Sequence, residues 1–219
     1  MRVEQSIGGR GSLKWIQQAV NQKWTSLEEP ILRATGGQSL AWLSPLADDR
    51  FAEYRDAAFL ERLDLSHLSG ELAKFWPRRG PQWDALGRSD SGAIILVEAK
   101  AHVQEFCTPP SGARDKSRAL IANRLLEVAD DLGASGGSTW CDVFYQLANR
   151  LAHLWFLRNA GVDAFLALVG FVGDEDMSGP GVPEVWEAVT EVAFYAMGLP
   201  RSHKLSRFII HVNPVVVNG

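Results

Sequence analysis

The sequence is predicted to fold as an α/β protein, with a helical extension over residues 1–47 packed on an α/β domain over residues 48–219. Three observations predict it. Apolar residues recur at helical spacing in several segments, and short apolar or alternating runs of strand length lie between them. The stretch 164–172, Ala-Phe-Leu-Ala-Leu-Val-Gly-Phe-Val, is apolar throughout, as a strand covered by helices on both faces must be. A chain of 219 residues with 46% hydrophobic content also suffices for one domain with a full core.

Leu13, Ile16, Ala19 and Val20 predict a first helix over 13–24, with Ser12 as its cap. The preceding Gly8-Gly9-Arg10-Gly11-Ser12 has no strand before it and lacks the Gly-Lys-Ser/Thr ending of a phosphate loop, so it reads as a lead-in. A short helix over 28–34 ends at Gly36-Gly37. Asp48-Asp49-Arg50 opens a helix over 51–63 with Phe51, Tyr54, Ala58, Phe59 and Leu60 as its buried stripe. Glu53 and Glu61, about two turns apart, would share one of its faces. Residues 71–76 are predicted as the first core strand, followed by the turn Pro77-Arg78-Arg79-Gly80-Pro81.

Strands over 82–88 and 93–100 flank the turn Ser89-Asp90-Ser91-Gly92 and form a hairpin. Thr108-Pro109-Pro110-Ser111-Gly112 breaks the chain before a helix over 115–132, and a Gly/Ser-rich loop over 133–138 follows. The longest helix is predicted over 140–159. Leu147, Leu151, Leu154 and Trp155 give it an apolar side, and Gln146 and Arg150 share a polar one. Beyond the strand 164–172, Pro183 and Glu184 open a helix that Gly198 ends, and 205–212 form the last strand.

The chemistry gathers on the hairpin. Side chains alternate along a strand, so Glu98 and Lys100 point the same way, and antiparallel pairing brings Asp84 opposite them. Mg²⁺ takes oxygen ligands, commonly one or two carboxylates plus waters and substrate phosphate. Asp84 and Glu98 supply the carboxylates, and the Ala99 carbonyl a third oxygen. A cation held there, Mg²⁺ or alternatively Mn²⁺, acidifies bound water and neutralises charge building on a phosphodiester. Lys100 would orient the water or offset that charge. His102 joins the same face if the strand continues past Lys100. A Glu-x-Lys triplet alone carries no weight, since about one is expected in a chain of this length. The weight comes from the apolar run Ile94-Ile95-Leu96-Val97 leading into it and from the upstream aspartate. Arg78 and Arg79 in their turn, and Arg114 and Lys116 in a locally basic segment, are candidate phosphate contacts because a guanidinium fork or ammonium suits phosphate oxygens.

Asp84 with Glu98-Ala99-Lys100 resembles the PD-(D/E)XK nuclease superfamily, the restriction-endonuclease-like fold, over about residues 50–172. Pro81-Gln82-Trp83-Asp84 departs from the strict Pro-Asp pair. The resemblance implies an αβββαβ core with a mixed central sheet flanked by helices, and Mg²⁺-dependent cleavage of nucleic acid, DNA before RNA. Its metal ligands would be Asp84, Glu98 and Ala99. It also implies a further helical glutamate, Glu53 or Glu61, at the metal site, a glutamine such as Gln146 on the following helix, and a homodimer as the form in which many members cut duplex.

A net charge of −4 argues against a protein that coats nucleic acid through bulk positive charge, though not against a nuclease. No apolar run reaches the roughly 18 residues of a membrane span. The start lacks a signal-peptide core, and Cys107 and Cys141 have neither disulfide-scaffold numbers nor metal-ligand spacing, so a cytoplasmic setting is expected. Two rival readings accompany the nuclease. One is an inactive version of the fold serving as a protein- or nucleic-acid-binding module. The other is a carboxylate-lysine hydrolase for a small substrate, which requires a closed apolar pocket.

Overall fold

Strand β5 (Ile94–Lys100) lies at the middle of the molecule because both of its faces are apolar up to Val97. In the computed structural model, which describes residues 1–135 and 140–217, it is the third strand of a five-stranded sheet. β4 (Ala85–Ser89) lies between β2 (Leu40–Ser44) and β5 and runs antiparallel to both. β6 (Ala164–Gly170) and β7 (Ile209–Val212) continue the sheet in parallel beyond β5, giving the order β2-β4-β5-β6-β7. The sheet is therefore mixed. The β4–β5 turn closes through Ser89 N–H to the Ala93 carbonyl at 3.0 Å, and Gly92 takes the left-handed conformation (φ 88°) that the turn demands.

The two faces of β5 bury separate cores. Ile95, Val97 and Ala99 pack with Phe165, Ala167 and Val169 under helices α1 (Gly11–Asn21) and α2 (Thr25–Thr35), whose Trp15, Ile16, Leu27 and Ile31 are buried. Ile94, Leu96, Leu166 and Leu168 face the opposite layer. That layer is built from α3 (Ala57–Arg62), α4 (Ser69–Phe75), α5 (Asp115–Asp131), α6 (Tyr145–Asn159) and α7 (Pro183–Ala196). By the period of two, Glu98 and Lys100 belong to this second face, at the carboxyl end of the strand. α5 and α6 lie in the crossover from β5 to parallel β6. β6 stops at Gly170, where an added Cβ would meet Trp186 Cγ at 2.5 Å, so glycine lets that indole lie against the strand end.

Several sequence expectations are corrected. Residues 1–47, expected as a helical extension, hold helices α1 and α2 packed on one face of the sheet and in addition supply its edge strand β2. Residues 71–76 fall mostly in helix α4 instead of the first core strand, with Leu68, Leu72 and Phe75 buried at helical spacing. The helix expected over 51–63 is only Ala57–Arg62. Glu53 lies instead on a two-residue strand, β3 (Glu53–Tyr54), paired antiparallel with β1 (Arg2–Val3), so it shares no helix face with Glu61. α6 begins at Tyr145, five residues later than expected. The loop expected over 133–138 lies outside the described residues from position 136 onward. Among the described residues no helix is long and apolar enough to cross a membrane.

Candidate functional site

Pairing of β4 with β5 is regular up to Ala85↔Val97, and there the chain bends. Asp84 N–H donates to the Val97 carbonyl at 3.2 Å, while the Asp84 carboxylate accepts the Ala99 N–H at 2.7 Å. A side-chain oxygen thus takes the place of a main-chain rung, and this fixes Asp84 beside the end of β5. Both peptide groups of one residue face the same strand edge, so the Ala99 carbonyl points to the Asp84 side as well. An antiparallel bridge between Tyr54 and Trp83 then sets Glu53 next to this bend. Glu53 is buried, and its Oε2 accepts from Gln82 Nε2 at 2.5 Å and from Gln5 Nε2 at 3.1 Å.

Glu98 is buried and carries two cations. Lys100 Nζ donates to its Oε1, and Arg150 Nε, from α6, donates to its Oε2. Lys100 is further held by Gln146 Oε1 at 2.7 Å, and the backbone N–H of Gln146 donates to Thr108 Oγ1 at 3.1 Å. The side of α6 that bears Gln146 and Arg150 therefore faces the end of β5.

The three carboxylates lie within each other's field. Burial first, then the charges of Glu98 and Glu53, push Asp84 well above the usual carboxylate range. Burial also raises Glu53. At Glu98 burial pushes up as well, but Arg150 and Lys100 outweigh it and the net shift is downward. Like charges gathered on a partly desolvated sheet end oppose folding. Perturbed carboxylates of this kind recur at functional sites and in structural ion-pair networks alike.

The cluster opens on one side. Glu53, Asp84, Gln82, Asn149 and Arg150 line a groove of about 450 Å³, walled by Gly80 and Pro81 on one bank and by the 108–112 loop with Tyr145 on the other. Glu98 and Lys100 line a separate crevice of about 30 Å³ on the far side, closed by Trp186, Leu168 and Phe106. Neither is the large closed apolar pocket that a small-substrate hydrolase requires.

Comparison with family models, curated proteins and solved structures gives no match. Function has to be sought in these side chains.

The fold brings Asp84, Glu98, Lys100, Gln146 and Glu53 together, with the Ala99 backbone beside them. Glu61 is exposed on α3 and has no part in the cluster. β5 ends at Lys100, so the strand does not carry His102 onto the face of Glu98 and Lys100; His102 instead pairs with Glu105 at 3.2 Å and lines a different depression with Arg10 and Asp176. Arg78 and Arg79 are exposed in the turn after α4, just ahead of the Gly80–Pro81 bank, and Arg79 adopts φ 70°. Arg114 and Lys116 are exposed where α5 begins, immediately after the 108–112 bank. The residue whose role the sequence hid is Arg150. Its spacing from Gln146 placed it on the correct side of α6, but only the packing of α6 on the sheet reveals its bond to Glu98.

Among the described residues no three His, Cys, Asp or Glu side chains are gathered tightly enough to hold one ion. The donor chemistry still suits a hard divalent cation. Asp84 and Glu53 are oxygen donors held at a cost that positive charge would relieve, and they face a solvent-open groove.

Proposed function

We propose that the chain is a Mg²⁺-dependent nuclease, with DNA the favoured substrate, working at the groove between the Gly80–Pro81 and 108–112 banks. The observation that carries this reading is the convergence of Glu53 from β3, Asp84 from the bend ahead of β4, and Glu98 and Lys100 from β5. The mixed sheet supports it too: β4 and β5 pair antiparallel, α5 and α6 follow, and β6 then runs parallel to β5, as the end of a PD-(D/E)XK core would. Asp84 and Glu98 would hold Mg²⁺ or Mn²⁺, with the Ala99 carbonyl as a further oxygen donor and Glu53 reaching the ion through its bound water. Such an ion supplies acidified water and neutralises charge on a phosphodiester. Lys100, kept in place by Gln146, would hold positive charge against Glu98 and so fix that carboxylate at the metal. The exposed Arg78, Arg79, Arg114 and Lys116 on the two banks would take flanking phosphates of a strand lying across the groove.

One observation favours a second reading, an inactive module that binds nucleic acid or protein through the same surface. Both oxygens of Glu98 are already taken by protein cations. Plasmid nicking in Mg²⁺ or Mn²⁺ separates the two. Wild-type protein should nick, and Lys100→Met should lose at least about 100-fold in rate while binding DNA as before. Undiminished nicking by Lys100→Met removes Lys100 from the chemistry, and DNA binding with no cleavage under either ion selects the inactive module.

A further inference from the structure

We propose that Arg150 is a placeholder cation: it holds Oε2 of Glu98 and gives up that position when a divalent cation enters. The inference rests on the metal-site reading above. Arg150 is only 3% exposed, and each of its three guanidinium nitrogens makes a hydrogen bond. Nε donates to Glu98 Oε2, Nη1 to Asn149 Oδ1 at 2.8 Å, and Nη2 to the Gln82 carbonyl at 2.8 Å, with the Trp83 ring 4.9 Å away. A buried carboxylate needs a counter-charge whether or not an ion is present. Arg150 and Lys100 share that task, one on each oxygen.

The two cations are not equivalent. Arg150 lines the open groove together with Glu53 and Asp84, whereas Lys100 lies toward the closed crevice and is pinned by Gln146. An ion drawn to Asp84 arrives through the groove, so it meets Glu98 on the side that Arg150 occupies. Exchanging one cation for another leaves Glu98 compensated throughout. The released guanidinium, still anchored on α6 at the groove wall, offers a planar fork that matches a phosphate bidentately. Arg150 is thus a positioning residue twice over: for Glu98 in the metal-free protein, and for substrate phosphate once the ion is in place.

Calorimetric titration of MnCl₂ and MgCl₂ into wild type and Arg150→Met tests this directly. Removing the competitor should tighten Mn²⁺ binding at least tenfold. Equal or weaker binding by an Arg150→Met protein that still melts cooperatively overturns the inference. Should that variant fail to fold, the wild type supplies the readout. The ¹⁵Nε–H resonance of Arg150, assigned by its loss in Arg150→Lys, should move on saturation with Mg²⁺, and a resonance unchanged at saturation overturns the exchange. Failure of both proteins to bind either ion removes the metal site itself and the inference with it. Equal binding by both removes the inference alone.

Discussion

Neutralising two neighbouring carboxylates should move stability in opposite directions. Glu98→Gln keeps the shape but strips the counter-charge from Lys100 and Arg150, whose side chains are 13% and 4% exposed. Breaking a buried pair by removing one partner costs about 3–5 kcal/mol. A chain of this size loses about 2–4 °C of melting temperature per kcal/mol, so Glu98→Gln should melt about 6–20 °C lower at pH 7. Asp84→Asn should melt higher. The Asp84 pKa is raised on folding, so its stabilising share is complete below the unfolded value and is lost as pH rises through the folded one. The asparagine variant avoids that loss, and its advantage should widen as pH climbs from about 4. Glu98 has the opposite sign. Its lowered pKa gives stability above the unfolded value that fades as pH falls, so the Glu98→Gln deficit should shrink toward acid. Differential scanning calorimetry in a chelating buffer between pH 4 and 8 reads both effects. Shifts of the same sign, or shifts under about 2 °C for both, would falsify the picture of a desolvated cluster in which Glu98 alone is compensated.

His153 sits in a cage of Phe59, Phe75, Trp76 and Trp83, and burial lowers its pKa to about 3. It is neutral in the fold, so the stability it contributes is complete above the usual value near 6.5 and is lost as pH falls toward about 3. Urea midpoints for His153→Leu should therefore fall less steeply than wild type between pH 6.5 and 4. Gly170→Ala places a methyl 2.5 Å from Trp186 Cγ and should cost about 1–3 kcal/mol by urea unfolding, whereas an unaltered midpoint would mean that Trp186 moves aside freely. The double variant Arg78→Ala/Arg79→Ala should weaken binding to unrelated DNA sequences alike, and the slope of log K against log salt should drop by about 1–2. An unchanged slope removes these arginines from the phosphate contacts.

The hairpin and its charged end were legible because they depend on local rules. Period-two alternation put Glu98 with Lys100, and the turn at Ser89–Gly92 brought Asp84 near them. The α5 start, β6 and the α7 start followed likewise from periodicity and from Gly and Pro punctuation. What was not legible depends on distant partners. Leu40, Trp42 and Ser44 alternate inward between Gly37 and Pro45, yet only pairing with β4 identifies them as a sheet strand. Glu53 was expected on a helix because Phe51, Tyr54 and Ala58 fit a helical stripe. Pairing with Arg2–Val3, some fifty residues earlier, overrides that local preference. Residues 71–76 misled in the reverse direction, since the helical spacing of Leu68, Leu72 and Phe75 is short enough to pass for a strand.

The bond between Glu98 and Arg150 spans 52 residues of chain, with α5 between them and Arg150 itself on α6. The hairpin bearing Asp84, Glu98 and Lys100 is synthesised before α6, and closing so long a loop is slow relative to local pairing. Until α6 docks, Glu98 stands in water with Lys100 as its nearby cation, and Gln146 is not there to hold that lysine. The nascent chain therefore carries the acidic residues of the site without its assembled geometry, and the arrangement arises only as the crossover closes.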